Sequence, residues 1–569
     1  MSFRQLLRHV SMLLWLVGPA LGAQVPSGKW WNNAVIYEIY PRSFQDSNGD
    51  GIGDLNGITQ RLDYLKGLGV DAIWIGPMYP SPQVDFGYDI SDYENVDPQY
   101  GTLADFDRLV AEARKRHIRV LLDMVLNHTS DQHPWFKAAA ASRTDPRHDW
   151  YVWNNGVADS TGKRQPPNNW VSLFGGSAWQ WLPAVNQYYY HEFYRAQPDL
   201  NWRNPQVEQA MLDTLRFWLD RGVAGFRLDA ITTLFEDVQL RNEPQQPGVN
   251  AQGDPIVSRV YTDNLPEVHD VIRRMRKMID TYQGDRVLIG ETYLPNTAEL
   301  DKWYGGIRHD ELQLPMDMLV GFTNKLDVAA LRSRLLEVQT QVHGSQPMLV
   351  FDNHDNVRSW ERYGDGVHNA GIAKIIATLL LTSRATALLY QGEEIGQLTT
   401  VPTRVEDVRD PIGVTGWPKE KGRDGERTPM QWDSSNAQAG FSANPKTWLP
   451  VPPSYKAINV QAERADPNSL LNWHRELISL RRTNPALATG QMQMLDVQNT
   501  KVLSYARVAQ DGQKVLVALN MSGEAQTVSL DTGSSRPLKT LMASPVGMTP
   551  PKAVTAVALL AFGVWVGAQ

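Results

Sequence analysis

The sequence predicts an α/β protein built on a (β/α)8 TIM barrel, with an inserted domain after strand 3 and a C-terminal antiparallel β domain. Between residues 35 and 396, short β-branched runs alternate with longer amphipathic stretches, as in parallel strands joined by crossover helices. Polar residues follow the ends of these runs, where a closed barrel gathers its loops on one face. Past residue 487 the chain changes to short alternating runs that are typical of antiparallel strands.

Eight apolar runs are the predicted barrel strands, and three amphipathic stretches with i, i+3, i+4 spacing are the clearest helices. The predicted strands span residues 35–44, 72–77, 120–128, 225–230, 287–292, 312–317, 347–355 and 387–396. The predicted helices span residues 58–69, 103–117 and 208–222.

The spacing of the runs also predicts the domain organisation. The barrel is expected at 30–128 and 201–480, interrupted by an inserted domain at 129–200 that is rich in Trp, Asn, Pro and Gly. A second irregular insert, about 397–455, follows the eighth strand, and a β-sandwich is expected at 487–569. The apolar stretch 553–567 is short for a membrane span and is predicted to be a buried edge-closing strand.

Residues 1–23 have the layout of a secretory signal peptide. Arg4 and Arg8 are followed by a short apolar run at 10–17 and then by small residues. We expect an exported protein, periplasmic or extracellular, with no stable membrane insertion after the signal is removed; an uncleaved N-terminal anchor is the alternative.

Charge and composition exclude several classes of function. The chain has 55 Lys and Arg against 62 Asp and Glu, a net charge of −7, which provides no basic surface for nucleic acid. It has no cysteine, which excludes disulfides, thiol catalysis and Cys-ligated metals. The 19 Trp and 20 Tyr residues suit sugar-stacking surfaces, although core packing explains them equally well.

Polar residues cluster at the carboxyl ends of the predicted strands: Asp123, Asn127, His128, Arg227, Asp229, Glu291, His354 and Asp355. Arg227 lies two residues before Asp229 and therefore points to the same face of its strand. It is expected to keep Asp229 ionised, while nearby anions keep Glu291 protonated. Two carboxyl groups in these different states are what cleavage of a glycosidic bond requires.

The ordered motifs resemble the α-amylase superfamily, glycoside hydrolase family 13, and within it the α-glucosidase and oligo-1,6-glucosidase group. The main matches are DMVLNH (123–128), GFRLDA (225–230), GET (290–292) and FDNHD (351–355). Supporting matches are GVDAIWIGP (69–77), GYDISDY (87–93), QPDLNW (197–202) and GRDGERTPMQW (422–432). They follow the family's order from about residue 30 to 480.

The resemblance implies roles for particular residues. Asp229 is the expected nucleophile, Glu291 the general acid and base, and Asp355 the residue that holds the 2- and 3-hydroxyls of the sugar. The family's positions around the sugar ring match Asp89, His128, Arg227, His354 and Arg358. The expected activity is hydrolysis of terminal α-glucosidic bonds of maltose and short malto-oligosaccharides through a covalent glucosyl-Asp intermediate, with transglucosylation as a side reaction.

The first loop predicts a structural Ca²⁺ site. The segment DSNGDGIGD (46–54) offers oxygens at Asp46, Asn48, Asp50, Ile52 (its backbone carbonyl) and Asp54, which suit a hard cation. Gly57 stands where an EF-hand has Glu, so the motif is incomplete, and the resemblance supplies the same metal. A metal-free loop of Asx turns is the alternative.

Other activities share these motifs. Within the resembling group, Ala230 after the nucleophile is associated with α-1,4 preference and Val with α-1,6 preference, so an oligo-1,6-glucosidase remains an alternative. Sucrose isomerases and trehalose synthases are further alternatives, although segment 359–367 lacks an Arg-rich loop of the isomerase type. A non-catalytic sugar-binding barrel is the non-enzyme alternative, but all three carboxylates are present.

Overall fold

The computed structural model describes residues 28–323, 325–530, 533, 536–545 and 556–569. The predicted signal peptide, residues 1–23, lies outside the described residues. Within the described part of the chain, no helix is both long enough and apolar enough to cross a membrane.

Eight parallel strands close into a barrel, which confirms the predicted fold. The strands are β1 (Val35–Ile39), β2 (Ala72–Ile75), β3 (Arg119–Val125), β4 (Gly225–Asp229), β5 (Val287–Gly290), β6 (Leu314–Asp317), β7 (Met348–Val350) and β8 (Thr386–Tyr390). Each strand pairs with its neighbours in chain order, and β8 pairs with β1.

Helices follow the strands and cover the outside of the barrel. The helices of the structure are Pro41–Phe44, Leu55–Gln60, Leu62–Leu68, Leu103–Lys115, Pro134–Ala141, Pro205–Asp220, Val268–Ile279, Thr297–Trp303, Met318–Gly321, Val328–Gln341, Ser359–Arg362, Asn369–Thr382, Pro411–Gly416, Val460–Ala465, Leu470–Thr483 and Pro485–Thr489.

Some predicted boundaries were too long. The first strand ends at Ile39 rather than at residue 44, because Pro41 has no N–H for a sheet ladder and begins a short helix. The seventh strand ends at Val350, so the FDNHD motif lies in the loop that follows. The predicted helix 58–69 is two helices that meet at Arg61.

The inside of the barrel changes from apolar to charged along the strands. Ile36 and Leu121 lie in the apolar cluster of the barrel interior. Two residues further along the same strands stand Glu38 and Asp123, both buried. Because side chains alternate along a strand, these acids point inward like the apolar residues before them. Charge is therefore concentrated at the carboxyl ends of the strands.

The inserted segment after β3 contains short antiparallel sheets. Trp153–Asn154, Trp179–Leu182 and Gln187–Tyr190 form a three-stranded sheet, and Val157–Ala158 pairs with Arg164–Gln165. Aromatic rings such as Trp170 and Trp179 pack into its buried cluster, so many tryptophans of this chain serve packing. A hairpin that the sequence did not predict, Gln245–Val249 with Pro255–Val257, follows β4.

The C-terminal region is antiparallel. Its strands are β9 (Gln491–Leu495), β10 (Val502–Val508), β11 (Lys514–Asn520), β12 (Gln526–Ser529), β13 (Lys539–Ser544), β14 (Ala556–Leu559) and β15 (Val564–Ala568). A five-stranded sheet runs β9-β10-β11-β15-β13, and β12 pairs with β14. Residues of both sheets, including Val528 and Trp565, share one apolar cluster, so the two sheets pack face to face.

The stretch 553–567, which the sequence predicts to be one buried edge-closing strand, forms two strands in its described part. β15 lies inside the sheet between β11 and β13, whereas β14 lies at the edge of its two-stranded sheet with β12. The side chains of Val564, Trp565 and Val566 are buried. An internal strand can be apolar at every position because both of its edges are hydrogen-bonded and both of its faces are covered.

Candidate active site

The three predicted catalytic carboxylates meet at the carboxyl end of the barrel. Asp229 is the last residue of β4, Glu291 directly follows β5, and Asp355 lies in the loop after β7. All three line one cavity of about 360 Å³. Parallel strands bring these positions together because their carboxyl ends share one face of the barrel.

Arg227 joins two of these carboxylates from below. Its Nη1 donates to Oδ1 of Asp229 at 2.7 Å and to Oδ1 of Asp123 at 2.9 Å. Its Nη2 lies 2.7 Å from Oε1 of Glu291. Since Asp229 and Glu291 contact the two terminal nitrogens of one guanidinium group, they lie side by side. The sequence predicted the contact with Asp229 but not the one with Glu291.

Burial raises the proton affinity of these two carboxyl groups. It raises the pKa of Asp229 to about 7 and that of Glu291 to about 7, although the charge of Arg227 opposes both shifts. Each carboxylate also raises the pKa of its neighbours through charge repulsion. The two groups therefore titrate as a unit that carries one proton near neutral pH.

Asp355 lies in the opposite electrostatic environment. Arg423 and Arg427 both donate to its Oδ1, at 2.8 and 2.7 Å. Burial alone would raise the pKa of Asp355, but His354 and the two guanidinium groups hold it well below its usual value. Asp355 is therefore an anion at neutral pH, next to a pair that shares a proton.

A buried chain of hydrogen bonds supports Asp355 from behind. His354 places Nδ1 2.6 Å from Oε1 of Glu38 and Nε2 2.7 Å from the hydroxyl of Tyr88. The same Nε2 lies 3.2 Å from Oδ2 of Asp355. The ring of His354 stacks on those of Tyr40 and Tyr88, at centroid distances of 5.6 and 5.4 Å.

Of the five predicted substrate-binding residues, His128 lines the cavity. Burial lowers the pKa of His128 to about 3, so its ring is neutral. Arg227 and His354 lie one layer deeper. Their polar atoms contact the catalytic carboxylates and do not face the open cavity.

The predictions for Asp89 and Arg358 require correction, because neither residue lines the cavity. Asp89 is fully buried and accepts the hydroxyl of Ser81 and the N–H groups of Val84 and Asp85, so it shapes the loop behind the cavity wall. Arg358 is also fully buried, and its guanidinium donates to the backbone carbonyls of Gln391 and Glu426. A side chain without exposed surface supports the site and has no access to substrate.

Sequence reasoning missed other residues of the cavity wall. Asp85 and Arg423 form an ion pair at 2.9 Å there, and Phe174 and Phe193 come from the inserted segment. The motif GRDGERTPMQW contained Arg423, and the motif GYDISDY lay two residues from Asp85. No sequence motif indicated that Phe174 and Phe193 line the cavity. They lie far from the barrel strands along the chain, so the sequence does not show where their rings are placed.

Ala230 has a strained backbone beside the nucleophile. Its φ is 44°, a left-handed conformation that alanine rarely adopts. In this conformation its N–H donates to Oε2 of Glu291 at 3.0 Å. This hydrogen bond ties the carboxylate of Glu291 to the backbone next to Asp229, and strained backbone of this kind is frequent at functional sites.

The predicted calcium loop is closed by its own hydrogen bonds. The carboxylate of Asp46 accepts the N–H groups of Asn48, Gly49 and Gly51, and that of Asp54 caps the helix Leu55–Gln60 by accepting from Gly57. Among the described residues, no group of three or more His, Cys, Asp or Glu side chains is gathered as a metal site. The oxygen donors of this loop suit Ca²⁺ by chemistry.

Comparison with known proteins agrees with this geometry. The sequence profile of the α-amylase catalytic domain matches residues 38–490. A probable α-glucosidase of Rhizobium meliloti is 43% identical over 90% of this chain and 93% of its own length. An oligo-1,6-glucosidase of Parageobacillus thermoglucosidasius is 40% identical over 86% of this chain and 90% of its own length.

A solved structure shares the whole architecture. The trehalulose synthase MutB from Pseudomonas mesoacidophila MX-45 superposes with a TM-score of 0.86 at 36% identity, covering 96% of this chain and all of its own. With the barrel, the three converging carboxylates and these relatives in agreement, the chain belongs to the α-amylase superfamily of glycoside hydrolases, in its glucosidase group.

Proposed function

We propose that this chain is an exported, retaining α-glucosidase that removes terminal glucose from maltose and short malto-oligosaccharides. The observation that carries the proposal is the contact of Asp229 and Glu291 with the same buried guanidinium group, at 2.7 Å each. Retaining glycosidases use two neighbouring carboxyl groups, one as nucleophile and one as acid.

In the first step of the proposed mechanism, Asp229 attacks the anomeric carbon of the glucose ring. Glu291 gives its proton to the glycosidic oxygen as the bond to the leaving sugar breaks, which leaves a glucosyl ester on Asp229. Arg227 stabilises the state in which one of the two groups is ionised and the other is protonated. Its single positive charge offsets one carboxylate, and the other group keeps the shared proton.

In the second step, Glu291 takes a proton from water, which attacks the ester and releases glucose with its original configuration. Another sugar hydroxyl in place of water gives transglucosylation. Asp355, anionic through Arg423 and Arg427, is placed to bind the sugar hydroxyls and to stabilise the positive charge that develops on the ring.

The size and walls of the cavity support action on chain ends. A volume of about 360 Å³ suits a small sugar better than the middle of a long polysaccharide. The ion pair of Asp85 with Arg423 offers polar groups for hydroxyls, and Phe174 and Phe193 offer apolar surface for the faces of sugar rings.

Replacing either Asp229 or Glu291 should strongly reduce turnover, and each replacement removes a different role in the reaction. Glu291→Gln removes the acid and should lower kcat for maltose by about a hundredfold to ten-thousandfold. Asp229→Asn removes the nucleophile and should reduce the rate to background. Steady-state kinetics with maltose measures both effects, and Asp92→Asn, which changes an exposed acid in the loop after β2, is the matched control. Near-normal turnover by either active-site variant would contradict the assignment.

The pH dependence of the reaction should report the shared proton. Because the pKa of Glu291 is raised to about 7, its neutral form is lost as pH rises through that value. We therefore expect kcat/KM for p-nitrophenyl α-glucoside to fall above pH 7, far above the usual range for Glu of about 4.3. Glu291→Gln should lose this alkaline limb in its residual activity; a limb that persists in this variant would assign the titration to another group.

The linkage preference is proposed to be α-1,4, on the basis of Ala230 beside the nucleophile. Ala230→Val should raise the ratio of isomaltose to maltose hydrolysis, because a larger side chain narrows the cavity next to the scissile bond. Valine at a φ of 44° is also strained. Ala230→Gly is the control, since it changes the backbone preference without adding a side chain. An unchanged ratio in Ala230→Val would argue against this role.

A second candidate function is isomerisation of sucrose, because a trehalulose synthase shares the fold over 96% of this chain. Hydrolysis and isomerisation differ in whether the released sugar leaves or attacks the glucosyl ester. Incubating the purified protein with maltose, isomaltose, sucrose and trehalose, and following products and anomers by NMR, distinguishes them. Release of free α-glucose from maltose is the expected result.

We also propose that loop 46–54 holds a structural Ca²⁺ ion. The support is the row of oxygen donors, among them the exposed carboxylate of Asp50. Treatment with EDTA should lower the melting temperature, and Ca²⁺ should restore it. Asp50→Ala should remove the response to Ca²⁺ while leaving the melting temperature in EDTA unchanged. Equal melting of the metal-free and Ca²⁺-loaded protein would show that the loop is held by its hydrogen bonds alone.

A further inference from the structure

A second cavity, of about 270 Å³, lies at the opposite end of the barrel from the catalytic carboxylates. Arg119 is the first residue of β3, Ala224 directly precedes β4, and Arg286 directly precedes β5, so the cavity is at the amino ends of these strands. This face of such a barrel normally serves stability rather than chemistry. We call the cavity the basic pocket because three arginines, Arg114, Arg119 and Arg286, line it.

The three guanidinium groups of the basic pocket have no counter-charge in contact. Within the described ranges, the side chains of Arg114, Arg119 and Arg286 form neither an ion pair nor a hydrogen bond with any carboxylate. The Nε atom of Arg286 is buried without a hydrogen-bond partner. A buried cationic donor without a partner is costly, which distinguishes this atom from a solvated surface group.

The nearest acids are engaged elsewhere. Asp285 pairs with Lys29, and Asp71 pairs with Arg482 at 2.9 Å. Residues 1–27 contain no Asp or Glu, so the N-terminal segment supplies no carboxylate to the pocket. Asp71 and Asp285 therefore attract Arg119 only from a distance, and neither forms an ion pair with an arginine of the basic pocket.

One of the three arginines, Arg119, is also held in position by an aromatic ring. The guanidinium of Arg119 lies 4.6 Å from the ring centroid of Trp30, a stacking contact that restricts its movement. Burial lowers the pKa of Arg286, and the charges of Arg114 and Arg119 lower it further. Three like charges held together in a concavity repel one another, and an anion between them would relieve that repulsion.

The dipole of a helix accounts for the position of only one of the three arginines. Arg114 is in the last turn of the helix Leu103–Lys115, where a cation interacts favourably with the helix dipole. Arg119 and Arg286 are at strand starts and gain nothing from it.

We propose that the basic pocket binds a tetrahedral oxyanion, either phosphate or the phosphate group of a monoester, between Arg114, Arg119 and Arg286. Guanidinium groups present paired N–H donors that match the oxygens of phosphate, and several of them together select an ion with more than two acceptor oxygens. The site is separate from the sugar cavity, and its occupant would neutralise charge at the amino ends of β3 and β5.

Calorimetric titration of the full-length protein with sodium phosphate, against sodium chloride of equal ionic strength, tests the proposal. Wild type should bind phosphate saturably with a stoichiometry of one. Arg114→Gln and Arg286→Gln should each weaken binding about tenfold, the loss of one charged hydrogen bond. Arg475→Gln, which removes an exposed arginine on another helix, is the matched control and should bind like wild type.

A second titration with glycerol 3-phosphate separates the two sources of the anion. Tighter binding than inorganic phosphate identifies a monoester site, and equal or weaker binding identifies a site for the free ion. Both variants should hydrolyse p-nitrophenyl α-glucoside at the wild-type rate, which shows that they are folded. Absence of saturable phosphate binding by wild type, or equal affinity in wild type and Arg286→Gln, would overturn the proposal.

Discussion

The active site depends on one buried guanidinium group. Arg227 is the only positive charge in direct contact with Asp123, Asp229 and Glu291 among the described residues. Three buried carboxylates without it would each carry a desolvation cost of several kcal/mol or take up protons, whereas one cation together with a shared proton reduces the excess charge. The same contact fixes the relative position of the two carboxyl groups that glycosidic cleavage uses.

Two kinds of environment divide the acids of this site. The barrel strands hold Asp229 and Glu291 around one cation, so burial dominates and their pKa values rise. The long segment after β8 brings Arg423 and Arg427 to Asp355, so positive charge dominates there and its pKa falls. A proton-sharing pair next to a permanent anion is a division of labour that suits an oxocarbenium-like transition state.

Inside this barrel, arginine side chains are the counter-charges of the buried carboxylates. Arginines that contact no carboxylate are therefore informative. Arg358 is satisfied by backbone carbonyls, and Arg423 by three carboxylates. At the amino ends of the strands, Arg119 and Arg286 have neither kind of partner within contact distance among the described residues. The barrel therefore gathers carboxylates at its catalytic end and these arginines at the other end.

The sequence by itself determined the barrel, the carboxyl ends on which Asp229 and Glu291 stand, and their shared face with Arg227, because strand periodicity and parallel order are local properties of the chain. It placed Asp89 and Arg358 at the substrate in error, since adjacency in a motif does not reveal which side chain faces the cavity. Only the tertiary structure shows that Arg423 contacts Asp355 and that Phe174 lines the cavity. These contacts join segments that are far apart in the chain, and such contacts are set by packing rather than by local sequence pattern.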